Sequence, residues 1–313
     1  MNTRELGRSG LQVSIAALGC ANFGQRVDDA SAAAIIDRAF DLGINFFDTA
    51  DVYGGRGGSE RVLGKYLGAR RQQIVLATKF GRPMDGAGLT GGTSRRYVSQ
   101  AVEASLRRLA TDRIDLLQIH WPYPQVAIEE TLRGFEDVLR AGKVRYFGAS
   151  NFAAWQLVEG QLIARHHGLP EFISTQDEYS LLARQAEREL IPAARAHGVS
   201  LLPYLPLAGG FLTGKYQPGA VIPKNARLDQ MPEQRRYLTP ANFHLLEGLD
   251  ALARASGRAM VDLAFGWLAA QPAVASILTG PSRPEQVAAN VAAANCALTA
   301  AELAELDRLL QPA

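Results

Sequence analysis

Eight short apolar runs, each followed by a helical pattern, constrain this 313-residue chain more than any other feature. They are Ala17–Cys20, Ile44–Asp48, Ile74–Thr78, Ile114–Ile119, Val144–Gly148, Phe172–Gln176, Val199–Tyr204 and Ala275–Leu278. Most stay apolar through consecutive positions, the pattern of strands buried on both faces, which favours parallel pairing. The intervening segments read as amphipathic helices. Ile128, Leu132, Phe135 and Leu139 form one stripe that stops at Gly142, where a left-handed cap fits. Val98, Val102, Leu106 and Leu109 form another, behind an N-cap at Thr93 or Ser94. An open sheet of this size would leave two edges to cover, and a closed barrel leaves none. The expected fold is an α/β (β/α)8 TIM barrel, a single domain over residues 1–313, with extra C-terminal helices.

Two stretches fall outside the alternation. Arg4–Leu6 and Gln12–Ser14 flank Arg8-Ser9-Gly10 and predict an N-terminal β-hairpin. Leu207 to about Pro240 is rich in Gly, Pro and charge; it reads as a long loop, and long loops in compact domains are usually functional, so it is expected over a site.

Composition narrows the function. Lys plus Arg total 33 against 31 for Asp plus Glu, a net charge of +2, which denies the chain the broad basic surface that nucleic-acid binding needs. The N-terminus lacks a basic segment followed by an apolar one, and no apolar run approaches the roughly 20 residues that span a bilayer, so no membrane partner and a cytoplasmic location are expected. Cys20 and Cys296 are the only cysteines, which excludes a disulfide framework and a thiolate-rich metal site; no metal is expected.

Two glycine patterns invite misreading. Gly86-Ala87-Gly88-Leu89-Thr90-Gly91 satisfies a dinucleotide fingerprint, but it starts well beyond the strand end, and Asp112 precedes the next strand instead of closing it. Gly209 to Lys215 spells a phosphate loop, yet Tyr216 stands where a Ser or Thr would hold magnesium. Its glycines can still bring backbone amides close to phosphate.

The chemistry gathers at strand ends. Asp48 ends the second run, Tyr53 lies in the loop after it, Lys79 ends the third and His120 the fourth. In a barrel of this kind, the C-terminal strand ends converge on the face where active sites are built. Asp and Lys directly after apolar runs are desolvated and persist as charges when paired. A tyrosine is a weak acid until a neighbouring ammonium lowers its pKa, which Lys79 is expected to do for Tyr53, while Asp48 keeps Lys79 charged and His120 polarises a carbonyl. The set suits proton delivery to an oxygen becoming an alkoxide.

Gly43-Ile44-Asn45-Phe46-Phe47-Asp48-Thr49-Ala50 with Tyr53-Gly54, Ala77-Thr78-Lys79-Phe80, Asp115-Leu116-Leu117-Gln118-Ile119-His120 and Gly142-Lys143-Val144-Arg145-Tyr146-Phe147-Gly148-Ala149-Ser150-Asn151-Phe152 resemble the aldo-keto reductase family, and the likeness spans essentially the whole chain. The resemblance implies a (β/α)8 barrel that transfers hydride between NADPH, with NADH also possible, and aldehydes, ketones, alcohols or sugars. It places the family's catalytic tetrad on Asp48, Tyr53, Lys79 and His120, with Tyr53 the acid in reduction and the base in oxidation.

The same resemblance implies a cofactor set. Ser150, Asn151 and Gln176 match the nicotinamide carboxamide contacts, although Asn151 also reads as the N-cap of a following helix. Tyr204 matches the aromatic under the nicotinamide, and Leu205, Leu207 and Gly209 lie in the loop that wraps the pyrophosphate. Leu205 stands where the family commonly has Ser, which removes a hydroxyl from that region. Lys215 and Arg227 match cations on the dinucleotide, and Gly280, Ser282, Arg283, Gln286 and Asn290 match the adenosine 2′-phosphate site. A glycine loop leading into a helix N-terminus with Ser and Arg suits an anion on physical grounds as well, with Pro284 at the first helical position.

Phe23, Phe80 and Trp121 follow strand ends and are expected to line an apolar substrate mouth for a small carbonyl compound. The chain ends soon after the pattern Glu302–Leu310, so an open site is expected. Two other readings are available. The chain could be a nucleotide-binding regulatory subunit of the same fold with little turnover, like the channel subunits that resemble this family with the His120 position altered. Lys79 could also serve as a Schiff-base nucleophile, but Asp48 beside it would keep the amine protonated.

Overall fold

A computed structural model describes residues 1–85, 91–224 and 226–310. The hairpin strands are β1 (Thr3–Glu5) and β2 (Gln12–Ser14), paired antiparallel with Arg4 opposite Val13. The barrel strands are β3 (Ala16–Gly19), β4 (Phe46–Asp48), β5 (Val75–Phe80), β6 (Ile114–Ile119), β7 (Val144–Ser150), β8 (Phe172–Glu178), β9 (Ser200–Tyr204) and β10 (Ile277–Thr279). All neighbours are parallel, in the order β10-β3-β4-β5-β6-β7-β8-β9. A short parallel bridge closes the ring: Leu201 N donates to Ala273 O over 2.7 Å, and Ala275 N donates to Leu201 O over 3.0 Å.

Helices follow the strands, as the connection between parallel neighbours requires. They are α1 (Asp29–Asp41), α2 (Tyr53–Arg56), α3 (Gly58–Leu67), α4 (Arg95–Leu109), α5 (Ile128–Arg140), α6 (Ala154–His167), α7 (Leu190–His197), α8 (Arg227–Gln230), α9 (Pro240–Ser256), α10 (Met260–Ala270), α11 (Pro284–Ala294) and α12 (Ala300–Leu309). Local chemistry sets their ends. The Ser94 side chain caps α4 by accepting from Tyr97 N, and Gly142, with φ of +71°, turns the chain out of α5. Leu132 and Phe135 of the α5 stripe are buried, whereas Leu139, expected in the same stripe, is exposed at 38%. Helices α9 and α12 pack on each other outside the regular units, and they are the extra C-terminal helices.

The side-chain period of two along each strand divides the core into two layers. Ala17, Phe46, Val75, Ala77, Leu116 and Leu202 face the barrel axis, where Leu6 and Val13 of the hairpin join them and plug the end beneath the strands. Phe47, Leu76, Phe80, Leu117 and Ile119 face outward and pack under the helices. The hairpin pairs Thr3–Glu5, one residue earlier than expected, which releases Leu6 into the plug.

The stretch from Leu207 to Pro240 is a long excursion with single turns at Ala208–Thr213, α8 and Pro232–Tyr237. Arg236 and Tyr237 both bond Glu178 at the end of β8, which fastens it across the C-terminal mouth. Of the misleading glycine motif, Gly86–Thr90 lies outside the described residues. Among the described residues no helix is long and apolar enough to cross a membrane, and no three His, Cys, Asp or Glu side chains group to hold a metal.

Candidate active site

In phase with Phe46, Asp48 is the last inward position of β4; Lys79 follows Val75 and Ala77 inward on β5, and His120 follows Leu116 and Gln118 at the end of β6. Three neighbouring strands therefore deliver three polar side chains to one mouth. Tyr53 arrives by a turn. Gly54 and Gly55 follow it with φ of +65° and +70°, and a Cβ on Gly54 would stand 2.4 Å from Phe23 O and 2.6 Å from Ser59 N, so only glycine lets the Tyr53 turn press against the β3 loop.

The four expected catalytic side chains are together. Lys79 Nζ donates to Asp48 Oδ1 over 2.6 Å and to Thr49 O over 2.8 Å, and it lies 4.9 Å from the Tyr53 ring centre and within hydrogen-bonding reach of its hydroxyl. The Tyr53 and His120 rings meet edge to face with centres 5.5 Å apart. Lys79 has no exposed surface and Asp48 almost none. A buried ion pair of this sort holds only when its remaining valences are filled. Gln118 Nε2 at 3.0 Å and Gln176 Nε2 at 3.1 Å both donate to Asp48 Oδ2, so the carboxylate is fully engaged.

Electrostatics correct one expectation. Burial pushes the Tyr53 phenol up from its ordinary value, and the opposing pull of Lys79 does not overcome it. Tyr53 therefore carries its proton at neutral pH, and the ammonium beside it stabilises the tyrosinate that proton loss would create. Burial also acts to lower Lys79, but Asp48 and Tyr53 outweigh it and raise the ammonium. His120 is driven well below the usual imidazole range by burial, then by Lys79 and Arg82, so it is neutral; among the described residues its buried Nδ1 has no partner.

The expected cofactor residues form two groups. In the first, Ser150 Oγ donates to Gln176 O (2.8 Å), Asn151 Nδ2 donates to His120 O and Ser150 Oγ (3.0 Å each), and Tyr204 OH donates to Asn151 Oδ1 (2.7 Å). Asn151 is not the cap of α6, because Ala153 occupies that place while Asn151 adopts φ of +58°. In the second group, Lys215 is lowered by burial and by the nearby charges of Arg227 and Arg283. Arg227 is lowered by burial and by Arg26, and it also feels Tyr53, so an arc of cations runs outward from the phenol. Ser282 N and Oγ both donate to Gln286 Oε1, at 2.8 and 3.1 Å, just before α11; Gly280 O accepts from Asn22 Nδ2 at 3.1 Å, and Asn290 is half-buried on α11. Gly209 and Gly210 line a cradle in left-handed conformations; a Cβ on Gly209 would meet Gln234 Oε1 at 2.8 Å, and one on Gly210 would meet Lys215 Nζ at 3.0 Å. Leu205 takes φ of +52° and Leu207 starts the turn that leads into the cradle.

The expected apolar mouth is only partly assembled. Trp121, 49% exposed, stands beside His120. Phe80 does not join it: alternation with Lys79 turns it outward, fully buried and edge-on to Phe135 at 6.0 Å. Phe23 is likewise buried in the outer core layer. Three polar residues escaped the sequence reading. Gln118 interrupts the apolar run Leu116-Leu117-Gln118-Ile119 on an inward position, a signal that was available. Asn22 bridges Gly280 O and Arg227. Arg82, exposed two residues past β5, acts electrostatically on both Tyr53 and His120.

Comparison with known proteins agrees with this fold. The model of the Aldo/keto reductase family matches residues 17–311. The chain is 37% identical over 303 residues to the uncharacterized oxidoreductase YrpG of Bacillus subtilis (strain 168), covering 94% of this chain and 91% of that one. It is 35% identical over 327 residues to a probable voltage-gated potassium channel subunit beta of Arabidopsis thaliana, covering 99% and 97%. It is 33% identical over 321 residues to the L-glyceraldehyde 3-phosphate reductase of Escherichia coli (strain K12), covering 98% and 92%. A closed eight-stranded barrel with an Asp, Lys, Tyr and His cluster at its mouth, matched along nearly its full length by the family model, belongs to the aldo/keto reductase family.

Proposed function

We propose that this oxidoreductase reduces aldehydes and ketones with NADPH, Tyr53 delivering the proton. The observation that carries the reading is Tyr53 in contact with a buried Lys79–Asp48 pair and with a neutral His120. When bound, NADPH supplies the hydride. The carbonyl oxygen gains charge as this happens, and neutral His120 donates a hydrogen bond to it while Tyr53 hands over its proton. Lys79 then faces a tyrosinate in a dry site, where its charge acts most strongly, and Asp48 keeps that charge in place. A raised ammonium is a poor nucleophile, which speaks against Schiff-base chemistry at Lys79.

The residues present fit a phosphorylated dinucleotide. Ser150, Asn151 and Gln176 offer amide and hydroxyl groups to the carboxamide, and Tyr204 a ring face to the nicotinamide. The glycine cradle at Gly209 and Gly210 leaves no room for side chains and suits a close approach by pyrophosphate, with Lys215 and Arg227 as its counter-charges. Arg283, Ser282 and the start of α11 suit the 2′-phosphate, with Gln286 and Asn290 beside them.

Arg82 gives the mouth positive potential, so carbonyl compounds bearing a phosphate or carboxylate are the favoured substrates; the name of the Escherichia coli relative is in keeping with this. The test follows absorbance at 340 nm across aldehydes, ketones and aldoses, with and without anionic groups, using each cofactor. Tyr53→Phe should lose roughly 10² to 10⁴ in kcat while still binding NADPH. Near-normal turnover in that variant would remove Tyr53 from the acid role. The likeness to channel beta subunits favours a second reading, a nucleotide-binding regulatory subunit with little turnover. NADPH retained through gel filtration without turnover on any carbonyl would support it.

A further inference from the structure

Between Asp48 and Tyr53 lies a second carboxyl that the proposed mechanism does not use. Asp51 is 1% exposed, and among the described residues neither of its side-chain oxygens has a side-chain hydrogen-bond partner. Its backbone is fixed, because Asp51 N donates to Lys79 O over 3.0 Å. The carboxyl is faced by Lys79 of β5, by Glu60 of α3, and by Arg108 and Tyr97 of α4. Most of this neighbourhood is already committed elsewhere. Glu60 accepts from Thr78 Oγ1 at 2.7 Å and from Arg108 Nε at 2.6 Å, and Lys79 serves Asp48 and Tyr53.

An ionised carboxylate left there without a side-chain donor, and with only the backbone N–H of Val52 acting on it, would be costly, so the group holds a proton instead. Burial, then Glu60, pushes Asp51 up to about 8 against the weaker pull of Arg108. The consequence lies one contact away. A neutral Asp51 leaves the charge of Lys79 divided between Asp48 and Tyr53 alone. An ionised Asp51 would place a further negative charge beside Lys79, offset its support of the tyrosinate, and make Tyr53 a poorer acid.

We propose that Asp51 is a positioning residue for the proton transfer, a carboxyl kept uncharged so that Lys79 is shared by Asp48 and Tyr53 alone. The inference rests on the proposed reductase reading. It differs from the roles of the four residues at the mouth because Asp51, buried from solvent, acts through Lys79. Its kinetic signature falls in a clear window: burial raises the Tyr53 phenol above its ordinary value and holds His120 well below its own, while Asp177, pushed up by burial to about 7, is a second buried acid near the mouth raised into this range.

The experiment compares kcat for NADPH-dependent carbonyl reduction at pH 7 and pH 9 in wild type, Asp51→Asn and Asp177→Asn, together with the infrared carbonyl band of a protonated buried carboxyl in wild type. A single group titrating near 8 should cost wild type up to about tenfold across that interval. Asp51→Asn should remove most of that fall, Asp177→Asn should retain it, and the carboxyl band should be present at pH 7 and lost by pH 9.5. Equal pH ratios in wild type and Asp51→Asn, with or without the band, overturn the proposal, and so does absence of the band at pH 7. If Asp51→Asn does not fold, Glu60→Gln decides: losing that charge and freeing Arg108 should move the alkaline fall to lower pH, and an unmoved fall overturns the proposal. Absence of turnover in wild type would instead defeat the reductase reading, and the part of the infrared band that is lost in Asp51→Asn and kept in Asp177→Asn would still report on Asp51.

Discussion

Gln118 Nε2 donates to Asp48 Oδ2 over 3.0 Å, filling the side of the carboxylate that Lys79 leaves open. Gln176 reaches the same oxygen from β8 at 3.1 Å and also donates to Gln118 Oε1 at 3.2 Å, so β4, β6 and β8 are tied together across the barrel mouth. The cation that supports Tyr53 is thus held by a carboxylate that is itself held.

Replacing Gln118 with Leu should therefore act at a distance. Loss of a buried donor to a charged oxygen costs about 1–3 kcal/mol, to be read as a lower urea midpoint. Because Asp48 would then hold Lys79 less firmly, kcat should fall while the KM for NADPH changes little. A variant with normal kcat would show that the amide serves stability alone.

Removing one partner of the buried pair is predicted to be worse. Lys79→Met leaves the Asp48 carboxylate uncompensated in a dry site, at a cost of about 3–5 kcal/mol. The double variant Asp48→Asn/Lys79→Met should recover much of that stability in denaturant titration and none of the turnover. Recovery of turnover would contradict the role given to the cation.

Cofactor choice should follow the outer cations. Arg283→Ala should raise the KM for NADPH by about tenfold or more, since one charge-assisted contact to phosphate contributes about 1.5–3 kcal/mol, while leaving that for NADH nearly unchanged. Lys215→Ala should weaken both cofactors, because pyrophosphate is common to the two. Parallel initial-rate measurements distinguish these patterns.

Stability should respond to pH in opposite senses for two buried carboxyls and one buried imidazole. Asp51 and Asp177 titrate at about 8 and about 7 in the folded protein, against roughly 4 when unfolded. Between those values the folded chain holds protons that the unfolded chain releases, so their contribution falls as pH rises from about 4 and levels off above about 8. His120, lowered by burial, works the other way: its contribution is lost as pH falls below about 6.5. Urea midpoints measured from pH 5 to pH 9 should decline less steeply toward alkali in Asp51→Asn than in wild type, and a parallel decline would contradict the buried, protonated state.

What was legible in the sequence is what local physics controls. Continuous apolar runs specify strands buried on both faces, stripes with caps such as Ser94 and Gly142 specify helices, and the alternation of the two restricts the topology to a barrel. Position at the end of an apolar run was enough to bring Asp48, Lys79 and His120 to one rim, because parallel strands all point the same way. Tertiary structure decided everything that depends on facing. Phe80 and Lys79 are adjacent in sequence and lie on opposite sides of β5, a difference of one pleat that determines which of them sees the site. The hydrogen bond from Gln176 to Asp48 spans 128 residues and exists only through strand register. The protonation of Tyr53, His120 and Asp51 depends on how much water and which charges surround each group, and no order of residues along a chain specifies that before the barrel closes.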